Sequence, residues 1–309
     1  MVFQAINHRS NSRKDTRCSR MLKQIPVDRK SCAVLLFPFL ISIFWAGACR
    51  ANSYGSLEQK LLAAGFSRPM VSGAFRSAPP PMFHLVCSTM RTGGAPANYS
   101  HFLAPSEIAA ARRFIADHRN CFREEKAEYG VDPRIIAAIM LIETHFGSYT
   151  GKTPILAVFS SFALMDSKVN RDMVWRSISP ADRVYWGRKA FDKKLLDRAS
   201  WGYRELYALF TLEKSRGMRV TTLRGSYMGA IGWPQFLPSS LLKYGVDGNG
   251  DGRIDLNNAA DAILSTGNYL RAYGWCRAKT LRQKEAVIYN YNHSTPYVLT
   301  VLGIARRVR

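Results

Sequence analysis

The sequence predicts a mainly α-helical fold of the α+β class, and three observations carry that prediction. Apolar residues recur at helical spacing, capping residues precede prolines at several helix starts, and strand signals are short and weak. Helices are expected over residues 53–64, 106–129, 131–147, 155–165, 179–216 (as two helices), 258–273 and 297–307. Stretches rich in Pro and Gly at 77–82 and 91–97 are expected to be extended or turning.

Local signals at the helix ends justify these elements. In the helix over 131–147, Asp132 can cap the start, Pro133 suits the first turn and Gly147 suits the end. Ser179 followed by Pro180 marks another helix start in the middle of the chain. No internal repeat or low-complexity run occurs after residue 49.

Glu143 lies near the end of one of the most apolar helical stretches in the chain. A carboxyl group desolvated there, close to the negative end of the helix dipole, should have a raised pKa. It could then hold a proton at neutral pH and deliver it as a general acid. The alternative is a Glu that turns to solvent or pairs with Arg134 or Lys152, since structural ion pairs also perturb pKa values.

Residues 1–48 predict an export signal, which places the protein in the periplasm. A basic leader precedes an apolar run that ends in Ala46-Gly47-Ala48, the pattern of an A-x-A cleavage site, and translation could begin at Met1 or Met21. Two other fates stay open: an uncleaved membrane anchor, although the run is short for a full span, and attachment of a lipid to Cys49.

The formal net charge is +22. Residues 1–48 carry eight Lys/Arg and two Asp, so the remaining chain keeps +16, which favours a polyanionic partner. Nucleic acid is not expected, because no nucleic-acid motif is present and the basic residues are spread along the chain. The cysteines beyond the leader have spacings that do not suit zinc but allow one disulfide outside the cytoplasm. They are Cys49, Cys87, Cys121 and Cys276.

The segment over residues 225–240 combines closely spaced glycines with polar and aromatic side chains. Ser226, Tyr227, Trp233 and Gln235 supply the hydroxyl, aromatic and amide groups that sugar recognition requires. The glycines would let backbone approach a ligand closely. The alternative is a helix junction packed through its glycines, with ordinary core aromatics.

Residues 247–255 follow the pattern of a calcium loop. Asp247, Asn249, Asp251 and the carbonyl of Arg253 occupy positions 1, 3, 5 and 7 of such a loop. A polar Gly-Asp turn without metal is the alternative. Because no paired loop is present in the sequence, a calcium sensor is not expected.

Four blocks together resemble the membrane-bound lytic murein transglycosylase B family. They are the Glu143 helix with Gly147, Gly151 and Lys152, residues 225–240, residues 247–255, and residues 290–294. The resemblance covers residues 53–305. It implies one domain over 49–309, with a lysozyme-like catalytic core, additional helical and small β elements, and an EF-hand-like calcium loop at 247–261 in which Asp261 is the last ligand.

The resemblance also implies an enzyme that cleaves the MurNAc–GlcNAc β-1,4 bond of peptidoglycan without water, leaving a 1,6-anhydro-MurNAc end. Glu143 would act first as acid and then as base. This fits the absence of a second prominent acidic residue in the motifs near it, since the 6-hydroxyl of the sugar can serve as a tethered nucleophile. The residues that fall on family cleft positions are Ser226, Gln235, Tyr269, Tyr291 and Asn292.

Structural calcium, no organic cofactor, glycan strands as partner and a monomeric state complete these expectations. Two rivals remain: a hydrolytic muramidase on the same core, and a non-catalytic murein-binding protein. The sequence also departs from the family where residues 165–175 contain no Tyr, so that Trp175 or Tyr185 would have to substitute for the usual aromatic residue. Trp233-Pro234 replaces the usual pair before Gln235.

Overall fold

The computed structural model describes residues 53–93 and 98–308, so the expected leader and Cys49 lie outside the described part. The helices are α1 (Gly55–Ala63), α2 (Arg68–Ser77), α3 (Phe83–Ser88), α4 (Pro105–Asp117), α5 (Arg119–Glu128), α6 (Pro133–Thr144), α7 (Ile155–Ala163), α8 (Lys168–Ser177), α9 (Pro180–Arg216), α10 (Pro238–Tyr244), α11 (Ala259–Ala272), α12 (Leu281–Tyr291) and α13 (Thr295–Arg307). Two short strands, β1 (Thr153–Pro154) and β2 (Arg224–Gly225), form an antiparallel pair. The mainly helical prediction is therefore confirmed.

The long helix expected over residues 106–129 is divided at His118, which separates α4 from α5. The His118 backbone has φ −109° and ψ 26°, outside the helical region. Its ring packs against Phe114 at 4.8 Å and lies 6.3 Å from Trp233, between ring centroids. The contact with Trp233 joins segments that are distant in sequence, so local helix signals could not reveal the break.

Helix α9 is also interrupted. Gly187 has φ 59° and ψ 152°, which no helical residue adopts, so the run consists of two helices, as the sequence predicted. Ser179 caps the first of them by accepting a hydrogen bond from the Asp182 amide, as expected. Helices α2, α3, α8, α10 and α12 were not predicted.

Helix α6 forms the centre of the part of the fold that carries the candidate site. It packs against α4, α11 and α13, and its residues from Ile135 to Leu141 are buried. Asp132 caps its start by accepting a hydrogen bond from the Arg134 amide at 3.0 Å, as predicted. Burial on nearly all sides fixes the direction of α6, and with it the position of the side chains at its carboxyl end.

Outside this part of the fold, α9 packs mainly along α7 and also contacts α10. Gly202 makes the contact between α7 and α9 close, because a Cβ atom there would lie 2.6 Å from Cβ of Phe162. β1 pairs with β2 in the register Thr153 with Gly225, which attaches the segment after α6 to the glycine-rich segment.

The described cysteines do not form the disulfide that the sequence allowed. Cys87, Cys121 and Cys276 are all free thiols. Cys276 instead donates a hydrogen bond to the Tyr129 carbonyl at 3.0 Å. Of the helices in the described residues, none combines the length and the apolar character needed to cross a bilayer.

Candidate active site

Glu143 lies in the last turn of α6 and is partly exposed, while Thr144 beside it is buried. Burial of the carboxyl group raises the pKa of Glu143 to about 7, and the nearby Tyr297 hydroxyl opposes that shift. A pKa in this range is what a general acid needs at neutral pH. The raised pKa predicted from the helix is therefore present in the structure.

The alternative ion pairs of Glu143 do not form. Arg134 pairs with Asp132, at 2.6 Å between Nη2 and Oδ2, and the ion pairs found in residues 53–93 and 98–308 do not include Glu143. Lys152 is exposed. The charge of Glu143 is thus not compensated by a basic side chain, which is why burial dominates its pKa.

Three tyrosines lie close enough to Glu143 to sense its charge. They are Tyr99, Tyr291 and Tyr297. Burial is the main cause that raises the pKa of each hydroxyl, and the negative charge of Glu143 raises it further. Tyr99 and Tyr297 pack edge to face, with ring centroids 5.7 Å apart. The Tyr297 hydroxyl is buried and makes no hydrogen bond of normal geometry with the described residues. It is therefore a polar group whose best available neighbour is the Glu143 carboxyl.

The turn that follows Glu143 is strained. Helix α6 ends at Thr144, and His145 (φ 49°), Phe146 (φ 56°) and Gly147 (φ 84°) all adopt positive φ. The sequence predicted Gly147 as the end of the helix, but His145 already takes the left-handed position. Side-chain bonds stabilise this turn, because Thr144 Oγ1 donates to the Trp233 carbonyl at 2.9 Å and accepts from the Gly147 amide at 3.0 Å.

Strain in the described chain is concentrated at this site. His145, Phe146 and Gln235 are the non-glycine residues with positive φ among residues 53–93 and 98–308, and all three belong to the two segments that meet here. His145 Nε2 also contacts Glu107 Oε2 at 3.0 Å, which ties the turn to α4. Conformations that cost energy persist where the surroundings over-determine them, and such positions cluster at active sites.

The glycine-rich segment packs directly against this turn. A Cβ atom on Gly147 would lie 2.0 Å from Trp233 Nε1, and one on Gly151 would lie 2.2 Å from the Gly225 carbonyl oxygen. Gly147 therefore makes room for the Trp233 side chain, and Gly151 for the backbone of residues 225–226. This packing places residues 226–235 beside the end of α6.

Ser226 and Gln235, both expected to bind substrate, make internal hydrogen bonds within this segment. Ser226 Oγ accepts from the Ala230 amide at 3.1 Å, and Gln235 Nε2 donates to the Gly232 carbonyl at 2.8 Å. Both residues are buried. The Ser226 hydroxyl proton and the Gln235 carbonyl oxygen remain the groups that each residue could offer to a ligand.

Tyr291 and Asn292, at the end of α12, lie on another side of the site. The Tyr291 hydroxyl donates to the Pro234 carbonyl, which links α12 to the glycine-rich segment. Asn292 is buried and interacts with the Tyr99 hydroxyl, lowering the pKa of that tyrosine against the effect of burial. Tyr269 lies behind this layer: its hydroxyl donates to the Asn290 carbonyl at 2.9 Å and its ring packs on Tyr291.

The structure therefore brings Glu143 close to Tyr291, places Asn292 at the Tyr99 hydroxyl, and packs Tyr269 against Tyr291. Sequence reasoning missed Tyr99, Tyr297, Thr144 and the pair formed by His145 and Glu107. A capping Ser294 two residues before Pro296 was the available signal that a helix starts beside Tyr297. No local pattern marked Tyr99.

The two residues considered as substitutes for the family aromatic have other environments. Trp175 packs edge to face on Phe191, at 4.8 Å between ring centroids, with the Arg188 guanidinium over its ring. The Tyr185 side chain is exposed. Trp175 thus belongs to the packing between α8 and α9.

The predicted calcium loop follows α10, and hydrogen bonds between its side chains and its backbone amides hold its shape. Asp247 accepts from the Gly250 amide at 2.8 Å and from the Gly252 amide at 2.7 Å, through different carboxylate oxygens. The buried Asp261 carboxylate accepts from the amides of Gly248 and Asp255. Asp261 closes the loop from the inside in this conformation.

The donor set of this loop consists of oxygen atoms, which is the chemistry that calcium requires. Asn249 Nδ2 lies 3.0 Å from Asp251 Oδ2, so two of the predicted ligands are adjacent. Within residues 53–93 and 98–308, no group of three or more His, Cys, Asp or Glu side chains is arranged to hold a metal ion. Calcium ligation here would thus depend on Asn249 and the Arg253 carbonyl as well as on carboxylates.

Residues 50–285 match the transglycosylase SLT domain family. The chain belongs to this family. The predicted resemblance is therefore confirmed at the level of the family, across most of the chain.

A curated relative and two solved structures are similar to this chain. The membrane-bound lytic murein transglycosylase B of Escherichia coli is 28% identical over 176 residues, which are 57% of this chain and 41% of the relative. The chain therefore spans less than half the length of that relative. The Escherichia coli lytic transglycosylase Slt35 in complex with calcium is similar with a TM-score of 0.64 at 21% identity, over 84% of this chain and 93% of the other.

SltB3 from Pseudomonas aeruginosa, in complex with NAG-anhNAM-pentapeptide, is similar with a TM-score of 0.63 at 20% identity. The similarity covers 83% of this chain and 80% of that one. These structural likenesses confirm the fold that the sequence predicted.

Proposed function

We propose that the chain is a peptidoglycan lytic transglycosylase in which Glu143 is the single catalytic carboxyl group. The observation that carries the proposal is the desolvated carboxyl group of Glu143, a partly exposed residue at the end of a buried helix, with a pKa of about 7. No Asp or Glu of the described residues contributes to that pKa, and Glu107 is engaged by His145. One carboxyl group suits a reaction that needs no activated water, whereas most glycosidases use two.

In the proposed reaction Glu143 first donates its proton to the oxygen of the MurNAc–GlcNAc β-1,4 bond. The bond between that oxygen and MurNAc C1 breaks, and the 2-acetamido group of the sugar supports the positive charge at C1. The Glu143 carboxylate then accepts the proton of the 6-hydroxyl, whose oxygen bonds to C1 and forms the 1,6-anhydro ring. Glu143 ends protonated, so the cycle is balanced without water.

The surrounding residues have proposed roles that follow from what they can offer. Ser226 would bond the acetamido region, and Gln235 would line the subsites next to Glu143. Asn292 and Tyr291 would orient Glu143 or the scissile sugar, with Tyr269 as their support. The support for these roles is the packing of both segments around the end of α6.

Mass spectrometry of murein digested by the purified protein tests the reaction. A lytic transglycosylase releases fragments that end in 1,6-anhydro-MurNAc, each lighter by one water than the hydrolytic product. Reducing MurNAc ends would instead assign a hydrolytic muramidase. If murein is bound but no fragment is released, the non-catalytic murein-binding protein is the correct assignment.

We also propose that the loop over residues 247–261 binds structural calcium. Asp247, Asn249, Asp251, the Arg253 carbonyl and Asp261 would hold it, and it would stabilise the segment between α10 and α11. A chelator should then lower the melting temperature of the wild-type protein and have no further effect on Asp251→Ala. Asp197→Ala, an exposed carboxylate on α9, is the matched control and should remain chelator-sensitive. A wild-type melting temperature that chelation does not change would exclude calcium binding.

Finally, we propose that the protein is exported to the periplasm as a monomer, with or without an anchor at Cys49. The support is the pattern of residues 1–48, which lie outside the described part. Cell fractionation of the full chain and of Cys49→Ala decides the anchor. Full-chain protein found in the cytoplasmic fraction would contradict export.

A further inference from the structure

A basic pocket lies on the surface between the start of α4 and the end of α13. It encloses about 440 Å³ and combines an apolar floor with three guanidinium groups. The lining residues are Leu103, Pro105, Ile108, Arg112, Arg306 and Arg307. None of them has a role in the reaction proposed above.

The three arginines of this pocket have no acidic partner. The ion pairs found in the described part of the chain involve none of them. Arg112 donates to the Arg307 carbonyl at 2.7 Å, and Arg307 donates to the Gly303 carbonyl at 3.0 Å. Two guanidinium groups are therefore held in place by the backbone, with further N–H groups left for a ligand.

Two helices, α4 and α13, contribute both to the pocket and to the surroundings of the candidate active site. Ile108 follows Glu107, whose carboxylate contacts His145 next to the catalytic turn. Arg307 and Tyr297 belong to the same helix, and ten residues of helix span about 15 Å. A short extended peptide of about five residues covers a similar length. A peptide attached to a sugar at Glu143, which lies next to Tyr297, therefore has the length to reach the arginines.

We infer that this pocket binds the C-terminal carboxylate of the peptides that murein carries on its MurNAc residues, an inference that rests on the proposed function. The fork of a guanidinium group matches a carboxylate with two parallel hydrogen bonds. Leu103, Pro105 and Ile108 provide the apolar surface against which an aliphatic amino-acid side chain packs. The pocket selects peptide-bearing strands over bare glycan.

Calorimetry with ligands that cannot be turned over tests this selection in the wild-type full chain. The probes are a GlcNAc–anhydro-MurNAc pentapeptide, the same compound with a C-terminal carboxamide, and the disaccharide without peptide. Wild type should bind the carboxylate form roughly fivefold more tightly than the carboxamide form. Arg306→Glu should remove that difference and leave binding of the bare disaccharide unchanged, whereas Arg282→Glu, an exposed residue on α12, should keep it.

Three results would overturn the inference. They are equal wild-type affinity for the carboxylate and carboxamide forms, an equal loss for all three probes in Arg306→Glu, and the same loss in Arg282→Glu. Binding to vesicles that contain anionic lipid is measured separately. If Arg306→Glu loses vesicle binding but still distinguishes the carboxylate from the carboxamide form, the pocket binds lipid headgroups instead. Because the probes are not cleaved, these outcomes are independent of whether the chain proves to be a transglycosylase.

Discussion

Glu143 and Glu125 lie near opposite ends of α6, and burial raises the pKa of each to about 7. Glu125 is completely buried on α5, where one carboxyl oxygen accepts from the Val131 amide at 3.3 Å and the other has no hydrogen-bond partner among the described residues. Gly267 of α11 makes room for it, since a Cβ there would lie 2.5 Å from Glu125 Oε1. Glu143 is partly exposed and is surrounded by tyrosine hydroxyls.

The same raised pKa therefore has different meanings at the two positions. At Glu125 it records the desolvation of a group that ties the start of α6 to α5 and α11. At Glu143 it occurs on a partly exposed residue beside a strained turn and a second segment. A perturbed pKa identifies buried charge, and access together with neighbouring functional groups distinguishes a catalytic group from a structural one.

The largest expected effect is a difference in enzymatic activity between the variants Glu143→Gln and Glu125→Gln. Glu143→Gln should fold and bind murein but lower muropeptide release by about 10³-fold, because the amide can neither donate nor accept the proton that both steps require. Glu125→Gln keeps an acceptor for the Val131 amide and should release muropeptides close to the wild-type rate. Chromatography of soluble muropeptides measures both. Equal activity of the two variants would contradict the distinction between them.

The second effect concerns stability and pH. Folding raises the pKa of Glu125 from its ordinary value to about 7, so its stabilising contribution is complete below the ordinary pKa and is lost as the pH rises through 7. Between about pH 5 and pH 8 this loss amounts to about 2–3 kcal/mol of unfolding free energy. Urea unfolding of wild type and Glu125→Gln at both pH values measures it.

Glu125→Gln should match wild type near the lower pH and be the more stable protein near the higher pH. Glu143 titrates in both proteins, so its contribution cancels in the comparison. Glu125→Ala provides the contrast, since it leaves the buried Val131 amide without a partner and should be less stable than Glu125→Gln by about 1–3 kcal/mol at either pH. Parallel pH profiles for wild type and Glu125→Gln would show that Glu125 does not titrate in this range.

The two carboxyl groups also show what sequence could and could not predict. The Glu143 helix was predictable because its cap, its proline and its apolar run are all local. Glu125 was not, because only the approach of α11 through Gly267 makes its position a buried one. The environment of Glu143 was not predictable for the same reason. Tyr99 and Tyr297 come from segments distant in sequence, and packing alone brings them to the end of α6.

The family resemblance supplied Tyr269, Tyr291 and Asn292 as candidate site residues, whereas Ser226 and Gln235 were also indicated by the glycine-rich, polar character of residues 225–240. It did not reveal the strained turn, since His145 and Phe146 are ordinary residues in sequence and only the fold holds them at positive φ. Nor did it reveal that Gly147 makes room for the Trp233 side chain. These features depend on contacts between the two segments, which no local pattern encodes.

The smallest expected effect tests whether the tyrosines tune Glu143. The Tyr297 hydroxyl lowers the pKa of Glu143 against the effect of burial, so Tyr297→Phe should raise that pKa. A general acid is active while protonated, so kcat/KM should fall as the pH rises through about 7 in wild type. In Tyr297→Phe this fall should move upward by about half a pH unit to one unit.

Tyr269→Phe is the matched control for this shift, because its hydroxyl bonds the Asn290 carbonyl and does not contribute to the pKa of Glu143. The Tyr269→Phe substitution can change the magnitude of kcat/KM, but the pH at which kcat/KM falls should be the same as in wild type. A shift in both variants would mean that packing of the aromatic layer, and not the Tyr297 hydroxyl, sets the pKa. An unchanged profile in Tyr297→Phe would leave burial as the whole cause, and would make Glu143 resemble Glu125 in everything except its access to substrate.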